Sequence, residues 1–107
     1  MFIHENLFGG AGQVTVWDLL GAQALDPFRA ALACELAPGG RVGTHVQEAF
    51  PELVIFTGGQ GAVEVDGVAR AVAPGAVVAL GLGMTLAIAN VSVTDPLTYL
   101  IVKASKH

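Results

Sequence analysis

Apolar and polar residues alternate along this chain in short runs broken by glycine and proline, the two-residue period of half-buried strands rather than the 3.6-residue period of a helix. Runs rich in Val, Ile, Leu and Thr predict strands at residues 14–17, 28–36, 41–46, 53–57, 62–65, 68–72, 76–80, 85–91 and 97–103. Turn-forming pairs and triplets separate them: Pro38-Gly39-Gly40, Gly58-Gly59, Asp66-Gly67, Pro74-Gly75, Gly81-Leu82-Gly83 and Asp95-Pro96. Asp66-Gly67 is the sharpest hairpin signal, because a two-residue primed turn needs the positive φ that Asp and Gly tolerate. Only residues 18–24 have the composition for a helical turn. Strands this short and regular, with 14 glycines, predict an all-β sandwich or barrel.

At 107 residues the chain is long enough for one core and short for two, so residues 13–107 are expected to form one domain behind an arm of residues 1–12. Hydrophobic residues make up 53% and charged residues 13%, an apolar balance that implies a covered surface and hence a homodimer. Five Lys and Arg against nine Asp and Glu give a net charge of -4 with no basic cluster, which excludes an electrostatic footprint for nucleic acid or an anionic membrane. No apolar run reaches membrane-spanning length, and the first residues, MFIHENLFGG, lack the basic start and cleavage pattern of a secretory signal, so a cytoplasmic location is expected. The single cysteine, Cys34, lies in the alternating run Phe28, Ala30, Leu32, Cys34, Leu36 and reads as a small buried hydrophobe.

The chemistry concentrates between Gly39 and Gly59. His45 and Gln47 are two residues apart on a predicted strand, so both face one side, and Glu52 begins the next strand. An imidazole nitrogen, an amide oxygen and a carboxylate can hold a divalent cation such as Zn, Ni, Fe or Mn, and the same three groups can equally form a buried polar network in a barrel mouth.

The spacing resembles the first motif of the cupin superfamily: G, five residues, H-x-H, three or four residues, E, six residues, G. Gly39, His45, Gln47, Glu52 and Gly59 fit every interval, with Gln47 in place of the second histidine. The second cupin motif, P-x-G, two residues, H, three residues, N, is similar to the stretch from Gly81 to Asn90, where Gly81 stands for the proline, Gly83 and Asn90 keep their places, and Leu86 falls where the third histidine belongs. The resemblance covers roughly residues 28–103 and implies a double-stranded β-helix, the jelly-roll barrel of small single-domain cupins. It also implies that the arm, with Phe2, Ile3, Leu7 and Phe8 to bury, crosses to a neighbouring subunit. His4 and Glu5 on that arm, and the last residue His107, then read either as ligands for a partner's site or as exposed polar groups.

Cupin enzymes of the redox kind resemble one another in using three histidines and a glutamate, or two histidines and a carboxylate, and this chain offers one of those histidines. No cofactor is therefore expected, with a divalent metal (Zn, Ni, Fe or Mn) at His45, Gln47 and Glu52 as the alternative. With Leu86, Ile88 and Asn90 forming one wall opposite His45, Gln47 and Glu52, and Phe56, Trp17 and Tyr99 able to add aromatic faces, the expectation is a pocket for a small organic molecule. Three function classes remain open at this level: a ligand-binding module; an enzyme, either an isomerase, cyclase or epimerase using Glu52 and His45 as acid and base or a weak metal-dependent oxygenase; and a structural barrel filled by its own side chains.

Overall fold

The computed structural model describes residues 1–105; the expectation for His107 lies outside them. Ten strands run β1 (Phe2–Glu5), β2 (Gln13–Asp18), β3 (Phe28–Leu36), β4 (Arg41–Val46), β5 (Glu52–Gly58), β6 (Gly61–Val65), β7 (Val68–Val72), β8 (Val77–Leu80), β9 (Thr85–Asn90) and β10 (Leu97–Ala104). They form an antiparallel six-stranded sheet in the order β1-β2-β3-β10-β5-β8 and a four-stranded sheet in the order β4-β9-β6-β7. Alternation turns Val14, Leu36, Val54, Phe56, Leu80, Leu97 and Tyr99 of the first sheet towards Val42, Val63, Val72, Leu86 and Ile88 of the second, and these residues are the core. This is the jelly-roll barrel expected from the strand pattern. No helix among the described residues is long and apolar enough to cross a membrane.

Predicted strand limits hold to within a residue or two. Between β6 and β7, Asp66 (φ 50) and Gly67 (φ 80) both occupy the left-handed region, the signature of a type I′ hairpin. Asp66 Oδ1 also accepts the Thr85 amide at 2.8 Å, fixing the hairpin to β9.

Residues 18–24 are not helical. Asp18 Oδ1 accepts the amides of Leu20 (3.1 Å) and Gly21 (2.9 Å), and Gly21 at φ 61 turns the chain out of any helical path. A short aspartate close to backbone donors competes with helix formation in this way. The one helical turn among the described residues is a 3-10 helix at Leu7–Gly9, in the arm.

The arm folds onto its own barrel. β1 pairs with β2, Phe2 opposite Val16 and Glu5 opposite Gln13, and Ala11 exchanges two backbone hydrogen bonds with Arg41 of β4 (2.9 and 2.7 Å). Between these anchors the 3-10 helix lies across the barrel mouth, because Gly10 and Gly43 have no side chain: a Cβ on Gly43 would fall on the Phe8 carbonyl, and one on Gly10 on the Arg41 carbonyl.

Candidate ligand cavity in the barrel

His45 faces the barrel interior because β4 is irregular. Its register with β9 slips between Val42 and His45, so Val42 pairs with Ile88 and His45 with Leu86, and both reach the interior although they are three residues apart. Gln47 lies just beyond β4, yet its backbone is fixed: its N–H donates to Met84 O at 3.0 Å and its carbonyl accepts from Gly83 N at 2.8 Å. Glu52 opens β5 opposite Lys103 of β10. His45, Gln47, Glu52 and Lys103 thus ring one end of a cavity of about 440 Å³.

Below this ring the walls are apolar, with Leu32, Ile101, Leu86 and Ile88 foremost. Cys34 and Tyr99, cross-strand partners on β3 and β10, line the cavity deeper in the barrel. Leu7 and Phe8 of the arm close over it, and His4 joins them from β1.

Each polar group in the ring has a definite state. His45 Nδ1 is 3.0 Å from the Gly43 carbonyl, which can only accept, so Nδ1 carries a proton and Nε2 is the nitrogen left without a protein partner among the described residues. The Gln47 side chain is 95% buried by its 5% exposure, and its Nε2 is enclosed with no hydrogen-bond partner among the described residues. Glu52 Oε1 is 3.8 Å from Lys103 Nζ, with the carboxylate buried and the ammonium partly in solvent. Burial pushes the Glu52 carboxyl above the ordinary carboxylate range, against opposing pulls from Lys103 and then His45. Burial likewise pushes the Cys34 thiol up to about 12 and raises the Tyr99 hydroxyl.

Of the pocket residues expected from sequence, His45, Gln47, Glu52, Leu86 and Ile88 come together on the cavity. Phe56 and Asn90 do not line it. Phe56 is core, its ring 5.5 Å from that of Tyr99 and tilted by 46°. Asn90 is a buried clamp: Nδ2 donates to the carbonyls of Leu36 (3.1 Å), Ala37 (3.1 Å) and Asp95 (2.9 Å), and Oδ1 accepts the Ser92 amide. Trp17 lies on the outer side of the six-stranded sheet, two fifths exposed. Lys103 was not singled out by sequence, although it has the same strand parity as inward-facing Tyr99 and Ile101, where a lysine is out of place.

The donor set does not fit a resident metal ion. His45 offers one nitrogen, its cross-strand neighbour is Leu86 rather than another imidazole, and Glu52 already faces an ammonium. Among the described residues no three His, Cys, Asp or Glu side chains gather into a group able to hold a metal.

A scan against protein-family models finds no match, and neither does a search of curated proteins. Solved structures do match. A predicted oxalate decarboxylase from Thermotoga maritima superposes with a TM-score of 0.89 at 27% identity, over 97% of this chain and 90% of that one. A Cupin 2 conserved barrel domain protein from Salinispora arenicola gives 0.74 at 24% identity, over 86% and 76% of the two chains. The Cupin_2 domain of an XRE-family transcriptional regulator from Enterobacter cloacae gives 0.75 at 22%, over 88% and 98%. With the barrel shared along nearly its whole length and the glycine, glutamate and asparagine intervals of both motifs kept, the chain has the barrel fold of the cupins.

Proposed function

We propose that the barrel binds one small organic molecule in this cavity without the help of a metal ion. The observation that carries the proposal is the combination of about 440 Å³ of space, apolar walls and four polar groups confined to one end. That is the usual form of a small-molecule site, in which apolar contact supplies affinity and a few polar groups fix orientation. Native mass spectrometry of protein taken directly from cells tests it. An adduct of a few hundred daltons, lost on denaturation and absent from a cavity-filling Ile88→Phe variant, supports the proposal. A bare mass for the folded chain, together with failure of xenon under pressure to enter the barrel, refutes it.

A second reading is favoured by Glu52. A carboxyl held above its usual range, in one cavity with the His45 ring, has the makings of a proton donor and acceptor for an isomerisation, cyclisation or epimerisation. Binding and turnover separate in Glu52→Gln. Ligand retention with loss of turnover supports catalysis, whereas unchanged turnover removes it.

The proposal also includes a second copy of the chain. The outer face of the six-stranded sheet carries an uncharged row, Trp17, Ala33, Leu100, Ile55 and Val77, aligned strand by strand, and a second row of Ala31, Val102, Leu53 and Ala79 beside it. Sedimentation of Leu100→Glu as a monomer and of the parent as a dimer supports this; a monomeric parent overturns it.

A further inference from the structure

The polar ring is unequal in what it has left to give. Gln47 Nε2 is a buried donor with no partner among the described residues. Leaving such a donor unpaired costs about 1–3 kcal/mol, so a backbone held as firmly as that of Gln47 argues for a partner that comes from outside the chain. Its backbone is tied to Met84 and Gly83, so what the amide reaches is set by rotation about its own side-chain bonds. Lys103 Nζ, at 3.8 Å from Glu52, is beyond hydrogen-bond length and keeps its donors. The remaining charged group on the cavity, Glu48, is exposed at the rim, where water screens it.

The ring is followed by apolar wall for two residues along β10. From Lys103 through Ile101 to Tyr99 the strand advances roughly 13 Å at about 3.3 Å per residue, with only Ile101 and its neighbours Leu32, Leu86 and Ile88 between the polar levels. A molecule placed there meets the donors Gln47 and Lys103, beside the acceptors Glu52 and His45 Nε2, at its head and hydrocarbon along its body.

Resting on the proposed function, we infer that the occupant is an apolar acyl compound whose acyl oxygen accepts hydrogen bonds from Gln47 Nε2 and Lys103 Nζ while its body lies between Leu32, Ile101, Leu86 and Ile88. Amines are disfavoured because they give Gln47 and Lys103 no acceptor. Alcohols offer a weaker acceptor and no second oxygen for Lys103.

Calorimetric titration of the full chain with four probes of equal length, octanoate, octanamide, 1-octanol and octylamine, tests this. The expected result is that octanoate or octanamide binds at least tenfold more tightly than the alcohol and the amine, and the preferred one of the two tells whether the head is charged. Gln47→Leu and Lys103→Met, with folding checked by circular dichroism, should each lower the affinity for the acyl probe about tenfold while changing that for 1-octanol less than twofold. Lys103→Arg should restore binding. Equal affinity for the alcohol or the amine overturns the inference and leaves the proposed function standing. No binding by any probe overturns it too, and xenon density in the cavity then shows whether the proposed function survives.

Discussion

Phe8 lies flat on His45, ring centroids 4.1 Å apart and planes 13° from parallel. The stack joins the arm to the cavity mouth, and it does so with Phe8 at φ 53, a conformation that only glycine adopts freely. Loss of the ring and relief of the backbone therefore oppose each other. Phe8→Ala should lower stability by about 1 kcal/mol, since the ring is more than half exposed. Phe8→Gly should be no less stable than Phe8→Ala, the reverse of the usual order for these residues. Thermal unfolding of the two variants side by side checks the ranking, and faster amide exchange over residues 2–10 in both reports the loosened arm.

Gly43 and Gly10 hold the arm by having nothing where a methyl would meet backbone. Gly43→Ala is expected to lift the 3-10 helix off β4, at a local cost of at least about 2 kcal/mol. The barrel strands β5 to β10 make no use of that contact, so their exchange protection should persist. Limited proteolysis that cuts before residue 13 in the variant, and not in the parent, is the expected outcome.

Asn90 joins three carbonyls that no other side chain reaches. Asn90→Ala should destabilise by about 2 kcal/mol, because the Leu36 and Asp95 carbonyls lose this donor while that of Ala37 keeps the Gly40 amide. Asn90→Asp should be worse at neutral pH, since a carboxylate would face three carbonyl oxygens. Urea unfolding at pH 7 and at pH 4 separates these effects, with the aspartate variant gaining on the alanine variant as its carboxyl takes up a proton.

Stability should fall with rising pH in two windows. The folded protein holds the Glu52 proton more tightly than the unfolded chain, so stability is complete below the unfolded value near 4.5 and declines as pH rises from there through the raised folded value. Cys34 repeats the pattern from its ordinary 9.0 to about 12, a loss of up to about 4 kcal/mol across that range. Denaturant midpoints measured for the parent, Glu52→Gln and Cys34→Ala check both. Glu52→Gln should abolish the first decline and be more stable than the parent by about 1 kcal/mol at pH 8, because it removes a poorly paired buried charge. Cys34→Ala should lessen the decline above pH 9, leaving the part that the raised Tyr99 hydroxyl contributes above its ordinary 10.0.

Much of the barrel is legible in the sequence because two-residue alternation and turn chemistry are local. Asp66-Gly67 sets its hairpin within four residues, and the glycine intervals set where sheets change over. The site is less legible because it depends on register between distant strands. His45 and Gln47 share the cavity as their two-residue spacing predicts, but Val42 lines it too through an irregularity in β4 that period-two counting does not foresee. Lys103 becomes a neighbour of Glu52 only through the pairing of β10 with β5. Asn90 has the right place in its motif and a different use: it faces inward, but at a level where backbone carbonyls rather than cavity surround it. Phe56 shares the parity of Glu52 but packs in the core beside Tyr99 rather than on the cavity.

Electron density inside the barrel of a crystal grown from protein never exposed to chelator or nickel resin tests the central claim most directly. An elongated organic shape between Leu32, Ile101, Leu86 and Ile88, with an oxygen at about 2.9 Å from Gln47 Nε2, is the predicted result. A compact peak with anomalous scattering bound to His45 Nε2 and a Glu52 oxygen would contradict it.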